Sequence, residues 1–177
     1  MGKIKILFQI NLLRTLYFNF VIKGNRSKKS LILLFKKGYF NIHKTAKINI
    51  CKGQFLFSKP FNVLEPFPSL LEMQENSVLN VKNGFRILPG CHIIVAKGAT
   101  LSLGSGYLNR NSRIKCYNSI EIGDNCAISE NCSFWDSDVH TIQYNTIQYN
   151  YLLKLGIMFG LVQIVLYLKE LQLATEQ

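Results

Sequence analysis

The side chains best suited to chemistry lie close together near residue 140. Asp136, Asp138 and His140 fall within one run of five residues. An imidazole titrates near neutral pH, so His140 can take a proton from a substrate with one ring nitrogen. The other ring nitrogen needs a carboxylate or a carbonyl to fix its tautomer, and Asp138 and Asp136 are the candidates. This pattern predicts a general base, and the alternative is an ordinary loop histidine.

The remaining histidines and the cysteines lack this context. His43 and His92 are expected to be structural, and the spacing of the three histidines does not suit a shared metal. The five cysteines are odd in number and show no CxxC spacing. This favours small buried thiols in a reducing cytosol over disulfides or a zinc site. No metal is predicted.

A short sequence phrase is repeated four times, and the structure formed by these repeats must position the residues near 140. Each copy reads aliphatic, any, aliphatic, followed by a turn that contains Gly, Lys, Asp or Asn. The copies are Ile48–Leu56, Leu79–Ile87, Ile93–Leu101 and Ile120–Ile128. A unit this short cannot bury its apolar side alone, so the copies must stack, which predicts a β-solenoid.

Aliphatic residues recur mostly at steps of six along the same region. The steps are Val81, Ile87 and Ile93; Val95, Leu101 and Tyr107; Ile114 and Ile120; and Ile122, Ile128, Phe134 and then His140. A step of six predicts one strand and one turn per face, with three faces to a coil and the aliphatic side chains pointing inward. Gly or Asn at the turns supplies the positive φ that a corner requires.

The two ends of the chain differ from this pattern. Residues 1–22 mix basic and bulky apolar residues, which predicts a helix that caps the solenoid, with a membrane-surface helix as the alternative. The uncharged run 155–168 is shorter than the roughly 20 residues that span a bilayer and predicts a buried or interfacial helix. The expected division is a basic cap region (1–47), a β-helix domain (48–142) and a tail (143–177). Residues 57–78 hold three of the four prolines and are expected to be irregular.

The charge of the chain is strongly positive and unevenly placed. The formal net charge is +11, and no Asp or Glu precedes Glu65. Such a basic region attracts an anionic partner, such as a membrane surface or a phosphorylated cofactor, or is simply a solvated arm. No nucleic-acid motif accompanies it, so nucleic acid is not an expected partner. A cytoplasmic protein is expected, with peripheral membrane contact through the N-terminus as a further possibility.

The segment from Ile122 to Cys132, followed by Asp136-Ser137-Asp138-Val139-His140, resembles the hexapeptide-repeat acyltransferases. Within that family it looks like the sugar and polysaccharide O-acetyltransferases, as does the earlier segment 15–20. The resemblance covers roughly residues 10–142 and implies a left-handed parallel β-helix. It further implies acetyl-CoA as co-substrate, a sugar or polysaccharide acceptor, and a homotrimer with active sites between subunits.

The resemblance also implies roles for individual residues. His140 is expected to be the catalytic base, assisted by Asp138. Asn131, Trp135 and Asp136 are expected to bind the acceptor, with Trp135 offering a flat face to a sugar ring; the alternative for Trp135 is partial burial in a trimer contact. Coenzyme A is expected along coils that follow the histidine, so no cofactor-binding residue is assigned here.

The tail does not continue the repeat. The codons permitted for Lys154 to Val162, read two nucleotides out of frame, allow the sequence IGNHVWIG, which is typical of the family's later coils. We therefore expect that a frameshift after about residue 145 replaced those coils with out-of-frame sequence. The alternative function is then a catalytically inactive, truncated β-solenoid fragment of such an enzyme.

Overall fold

The computed structural model describes residues 8–61 and 65–137, together with the backbone of residues 152–155 and 165–166. These residues contain one α-helix, α1 (Leu12–Phe20), and fourteen strands. The strands are β1 (Ser30–Leu34), β2 (Gly38–Ile42), β3 (Lys47–Ile50), β4 (Gly53–Phe57), β5 (Ser69–Met73), β6 (Val78–Ile87), β7 (His92–Val95), β8 (Thr100–Leu108), β9 (Arg113–Cys116), β10 (Ser119–Ile122), β11 (Cys126–Ile128), β12 (Ser133–Trp135), β13 (Leu152–Leu155) and β14 (Val165–Leu166).

The strands pair in parallel and form three ladders. Ladder 1 contains β2, β5, β7, β9, β12 and β14. Ladder 2 contains β3, β10, β13 and the first halves of β6 and β8. Ladder 3 contains β1, β4, β11 and the second halves of β6 and β8. One passage through the ladders makes a coil, and about five coils stack into a parallel β-solenoid, so the predicted all-β solenoid is confirmed.

The core lies between the ladders, where apolar side chains stack from coil to coil. Four residues of ladder 2 lie in register and are fully buried: Ile48, Leu79, Leu101 and Ile120. Burying one such side chain contributes about 1.5–3 kcal/mol of hydrophobic free energy. Because each coil is too thin to hide its own apolar side, this contribution depends on the neighbouring coils.

The sixth residue of each repeated phrase lies at a corner between two ladders. Its φ is positive in all four copies: 77° at Gly53, 99° at Gly84, 72° at Gly98 and 56° at Asn125. Glycine adopts this left-handed backbone without a steric penalty, and asparagine tolerates it better than most residues. The predicted positive φ at the turns is therefore confirmed.

The four phrases do not occupy equivalent places in their coils. Ile48, Leu79 and Ile120 begin their phrases on ladder 2, whereas Ile93 begins its phrase on ladder 1. The six-residue unit thus describes one face and its corner, and it recurs on successive faces of the solenoid.

Most of the side chains at the six-residue spacing point inward as predicted. The prediction that the Tyr107 side chain points inward was wrong. Tyr107 is exposed, while its neighbour Leu108 is buried. In β6, Val81 and Gly84 flank the corner, whereas their register partners in β8 are Leu103 and Ser105. The corner in β8 is therefore one residue shorter, and a shift of one residue sends the next side chain to the opposite surface.

Strands also occur outside the four repeated phrases. Strand β5 lies within the proline-containing segment 57–78, and its alternate residues Ser69, Leu71 and Met73 are buried. That part of the irregular prediction was wrong, because alternation over five residues was enough to place a strand on ladder 1. Strands β1 and β2 lie in the segment expected to be a cap and pair in register with β4 and β5.

Helix α1 closes the first coil, as the cap prediction required. The Thr15 Oγ1 atom accepts a hydrogen bond from the Leu34 amide, 3.1 Å away. The Asn19 side chain accepts from the Ile32 amide at 3.1 Å and donates to the Ile32 carbonyl at 2.8 Å. The Asn11 amide donates to the Leu34 carbonyl at 2.8 Å. The outer edge of β1 is thus paired with the helix, which protects it from pairing with another chain.

Aromatic packing fixes the same helix on the solenoid. Phe18 is buried and meets the Phe40 ring edge-on, with 4.7 Å between the ring centroids. The Arg14 guanidinium lies over the Phe40 ring and donates to the Gly38 carbonyl, 2.8 Å away.

The predicted tail falls mostly outside the described residues. The two described segments within it, 152–155 and 165–166, are strands that pair with β10 and β12. The rest of the segment predicted as a buried or interfacial helix lies outside the described residues. Among the residues that the structure describes, no helix has the length and apolar character needed to cross a bilayer.

Replacing Asn19 with alanine should lower the free energy of unfolding by about 2 kcal/mol, because the Ile32 amide and carbonyl lose their partners. Urea denaturation followed by circular dichroism measures this loss. Asn41→Ala, at an exposed position of β2, is the matched control and should change stability by less than about 0.5 kcal/mol. Equal losses in the two variants would contradict the role assigned to Asn19.

Candidate functional site

The structure describes three of the five residues predicted to form the site. Asn131, Trp135 and Asp136 are described, whereas Asp138 and His140 lie outside the described residues. The roles of His140 as base and Asp138 as its partner therefore stay predictions. Strand β12 is the last element of ladder 1 before them in the chain.

Asp136 is buried immediately after β12. Its Oδ1 atom accepts from the Tyr117 amide at 2.7 Å, and its Oδ2 atom accepts from the Asn118 amide at 2.8 Å. The Cys116 thiol also lies 3.7 Å from Oδ2. The carboxylate thus fixes the turn between β9 and β10 in the preceding coil. Its predicted contact with an acceptor stays a prediction.

Trp135 lies on the outer surface of ladder 1 and is 37% exposed. Its register partner in the preceding coil is Lys115, whose Nζ atom lies 4.3 Å from the centroid of the indole ring. This contact is a cation–π interaction, which holds the lysine against the ring. The indole therefore offers an aromatic surface that carries an adjacent positive charge.

A basic-aromatic patch, formed by His92, Arg113, Lys115 and Trp135, surrounds this contact. Arg113 and Lys115 alternate along β9 with the buried Ile114 and Cys116, so both point outward. His92 is the register partner of Arg113 in the coil before, and it is exposed. No ion pair within the described part of the chain involves Arg113 or Lys115. The patch is thus free to meet an anionic group.

The sequence prediction missed Arg113 and Lys115 as site residues. The sequence pattern that could have identified them is the alternation of basic and apolar residues along 113–116, which places both charges on one surface. Their proximity to Trp135 depends on pairing between residues twenty positions apart along the chain. The repeat did not specify that register locally.

Asn131 lies at the corner that precedes β12. Its backbone is left-handed, with a φ of 59°, and its amide donates to the Arg110 carbonyl at 3.0 Å. The Arg110 guanidinium donates to Glu65 at 2.6 Å and to Glu130 at 3.2 Å. The hydrogen bond and charge of Glu65, followed by those of Glu130, raise the pKa of Arg110 against the effect of its desolvation. Asn131 and Trp135 therefore lie at opposite ends of β12, and the structure does not bring them together.

The other two histidines, His43 and His92, are both exposed. His43 is exposed at a turn, where its Nδ1 atom lies 2.9 Å from the Thr45 hydroxyl. Among the residues described here, no three His, Cys, Asp or Glu side chains are close enough to hold a metal ion.

The cysteines follow the prediction of buried thiols with one exception. Cys91, Cys116, Cys126 and Cys132 are buried, whereas Cys51 is exposed and that part of the prediction was wrong. Cys51 follows β3 at a corner, where the chain turns away from the core. Burial raises the pKa of the Cys91 thiol to about 12. Burial, together with the charge of Asp136, raises the pKa of the Cys116 thiol to about 12. These two thiols are therefore unsuited to nucleophilic attack.

A separate cleft of about 490 Å³ lies near the N-terminal end of the solenoid. Phe8, Phe35, Pro60 and Pro89 contribute to its largely apolar lining, and Lys36, Lys37 and Glu65 lie at its wall. None of the predicted site residues lines this cleft.

Comparison with family models, curated proteins and solved structures found no match to this chain.

Replacing Asp136 with alanine should lower the free energy of unfolding by about 2 kcal/mol or more, because two backbone amides at residues 117 and 118 lose their acceptor. Thermal and urea denaturation measure the effect. Asp124→Ala is the control, since this half-buried carboxylate interacts with the side chains of Asn83, Lys82 and Ser105 rather than with backbone amides, and its loss should matter less. Unchanged stability in the Asp136 variant would show that its carboxylate does not hold the turn.

Titration of the native protein with an aromatic disulfide reagent should modify one thiol rapidly and the other four slowly. Cys51 is the accessible thiol, and raising the pH to 9 should not expose Cys91 or Cys116 as thiolates because their pKa values lie near 12. Cys51→Ser should abolish the fast phase. Two or more fast thiols in the native protein would contradict the described burial.

Proposed function

We propose that this chain is an acyltransferase that moves an acetyl group from acetyl-CoA to a hydroxyl of a sugar or a cell-surface polysaccharide precursor. The observation that carries the proposal is the coil from Ile122 to Cys132. Its residues Ile122 and Ile128 are buried in register with Leu103 and Leu108 of the preceding coil, and Cys132 is buried as well, which is consistent with the resemblance to the hexapeptide-repeat acyltransferases. The segment that leads from this coil to His140 begins beside Trp135.

The chemistry assigned to His140 is general base catalysis. One imidazole nitrogen takes the proton of the acceptor hydroxyl while the oxygen attacks the thioester carbonyl carbon. The tetrahedral intermediate collapses, the carbon–sulfur bond breaks, and the thiolate of coenzyme A takes up the proton from the imidazolium. The products are an O-acetyl ester and coenzyme A, with Asp138 holding the imidazole in its productive tautomer.

The acceptor is assigned to the basic-aromatic patch. The exposed indole of Trp135 suits the apolar face of a sugar ring, and Lys115 and Arg113 suit a negatively charged substituent on the same molecule. We therefore favour an acceptor that carries a phosphate or a carboxylate over a neutral sugar. The proposal includes association of three copies, in which a neighbouring subunit completes the site, and it requires no metal.

The test is acetyl transfer from acetyl-CoA to neutral and anionic sugar acceptors, followed by mass spectrometry of the acetylated product. The wild-type chain should acetylate an anionic acceptor, and His140→Ala should lower the rate by a factor of about 100 or more. His43→Ala replaces an exposed turn histidine and should leave the rate unchanged.

Two results would contradict the proposal. Equal rates in the wild type and the His140 variant would remove the assigned base. No transfer to any acceptor by a chain whose circular dichroism shows the intact solenoid would favour the inactive fragment.

A further inference from the structure

We infer that the outer surface of helix α1 binds an anionic membrane surface. The inference is independent of the proposed acyl transfer, because it concerns the opposite end of the solenoid from Trp135. Six apolar side chains of this helix and its C-cap are exposed: Leu12, Leu13, Leu16, Tyr17, Phe20 and Val21. Leu13 and Phe20 are each 81% exposed.

The polarity of the helix is inverted relative to that of an ordinary surface helix. A surface helix normally turns its apolar side inward and its polar side to water. In α1 the polar Thr15 and Asn19 face the solenoid, because they hydrogen-bond the open edge of β1. This requirement leaves the apolar residues on the outside, with the buried Phe18 as the exception.

The positive charges around this apolar surface favour an anionic membrane as the partner. The described residues from 8 to 61 contain no Asp or Glu. Lys23, Lys28 and Lys29 are exposed just after the helix. An apolar helix face flanked by basic residues is complementary to the acyl boundary and anionic headgroups of a bilayer. A second copy that docked through the same surface would present the same positive charge there and would be repelled at this surface.

Co-sedimentation with vesicles tests the inference on the full chain. The wild-type protein should bind vesicles of equal parts phosphatidylcholine and phosphatidylglycerol and should bind pure phosphatidylcholine vesicles far more weakly. Binding should weaken as salt is raised, because the headgroup charges are then screened. Leu13→Asp/Phe20→Asp should lower the partition coefficient by roughly tenfold or more, because two side chains lose their burial in the bilayer.

Phe67→Asp/Tyr107→Asp is the matched control, since it adds the same charge at two exposed aromatic residues outside the helix. It should bind nearly as well as the wild type. Circular dichroism checks that both variants keep the fold, since Leu13 and Phe20 are each 81% exposed, whereas Phe67 and Tyr107 are 48% and 37% exposed.

Several outcomes would overturn the inference. These are no binding by the wild type, equal binding to neutral and anionic vesicles, and equal losses in the two double variants. Gel filtration tests the alternative that a second copy of the chain covers this surface. If the wild type self-associates and only the helix variant is monomeric, with vesicle binding unchanged, a second copy covers the helix and the inference is wrong.

Discussion

The pairing of helix α1 with the edge of β1 is the constraint on which the N-terminal half of the molecule depends. A parallel solenoid ends in strands whose outer N–H and C=O groups have no further coil to pair with. Thr15, Asn19 and the Asn11 amide provide four hydrogen bonds to Ile32 and Leu34. Because these polar groups must face the strand, the apolar residues of the helix must face outward. One local requirement thus sets both the closure of the fold and the character of its outer surface.

Within the solenoid, the same inward positions are filled from coil to coil, while the outward positions are free to vary. Inward residues such as Leu71, Ile93 and Ile114 stack along ladder 1 and are fully buried. The residues that alternate with them along each strand are partly or fully exposed and differ from coil to coil. The basic-aromatic patch arises in this way, on strands whose inner side is ordinary core. A functional surface can therefore be built on ladder 1 without a change in its packing.

The sequence was sufficient to predict features that depend on local period and turn chemistry. The buried positions of Ile120 and Ile122, and the positive φ of Gly84 and Asn125, follow from spacing and residue type within one phrase. Features that depend on pairing between coils were not predictable in the same way. Tyr107 faces outward because one corner is a residue shorter than its partner.

The candidate site was predicted less completely than the fold, for the same reason. Lys115 meets Trp135 only through the register of β9 and β12. The bonds from Asp136 to the Tyr117 and Asn118 amides likewise join successive coils. No rule of local spacing specifies either contact. The roles of His140 and Asp138 depend on their sequence context alone.

Amide hydrogen exchange, read residue by residue, tests most directly whether α1 closes the solenoid through its polar side chains. The amides of Ile32 and Leu34 should exchange as slowly as those of Leu71 and Ile93 inside ladder 1, because Asn19 and Thr15 accept their hydrogen bonds. Exchange at the rate of an exposed, unpaired strand edge would contradict the closure, and with it the reason that the apolar face of the helix points outward.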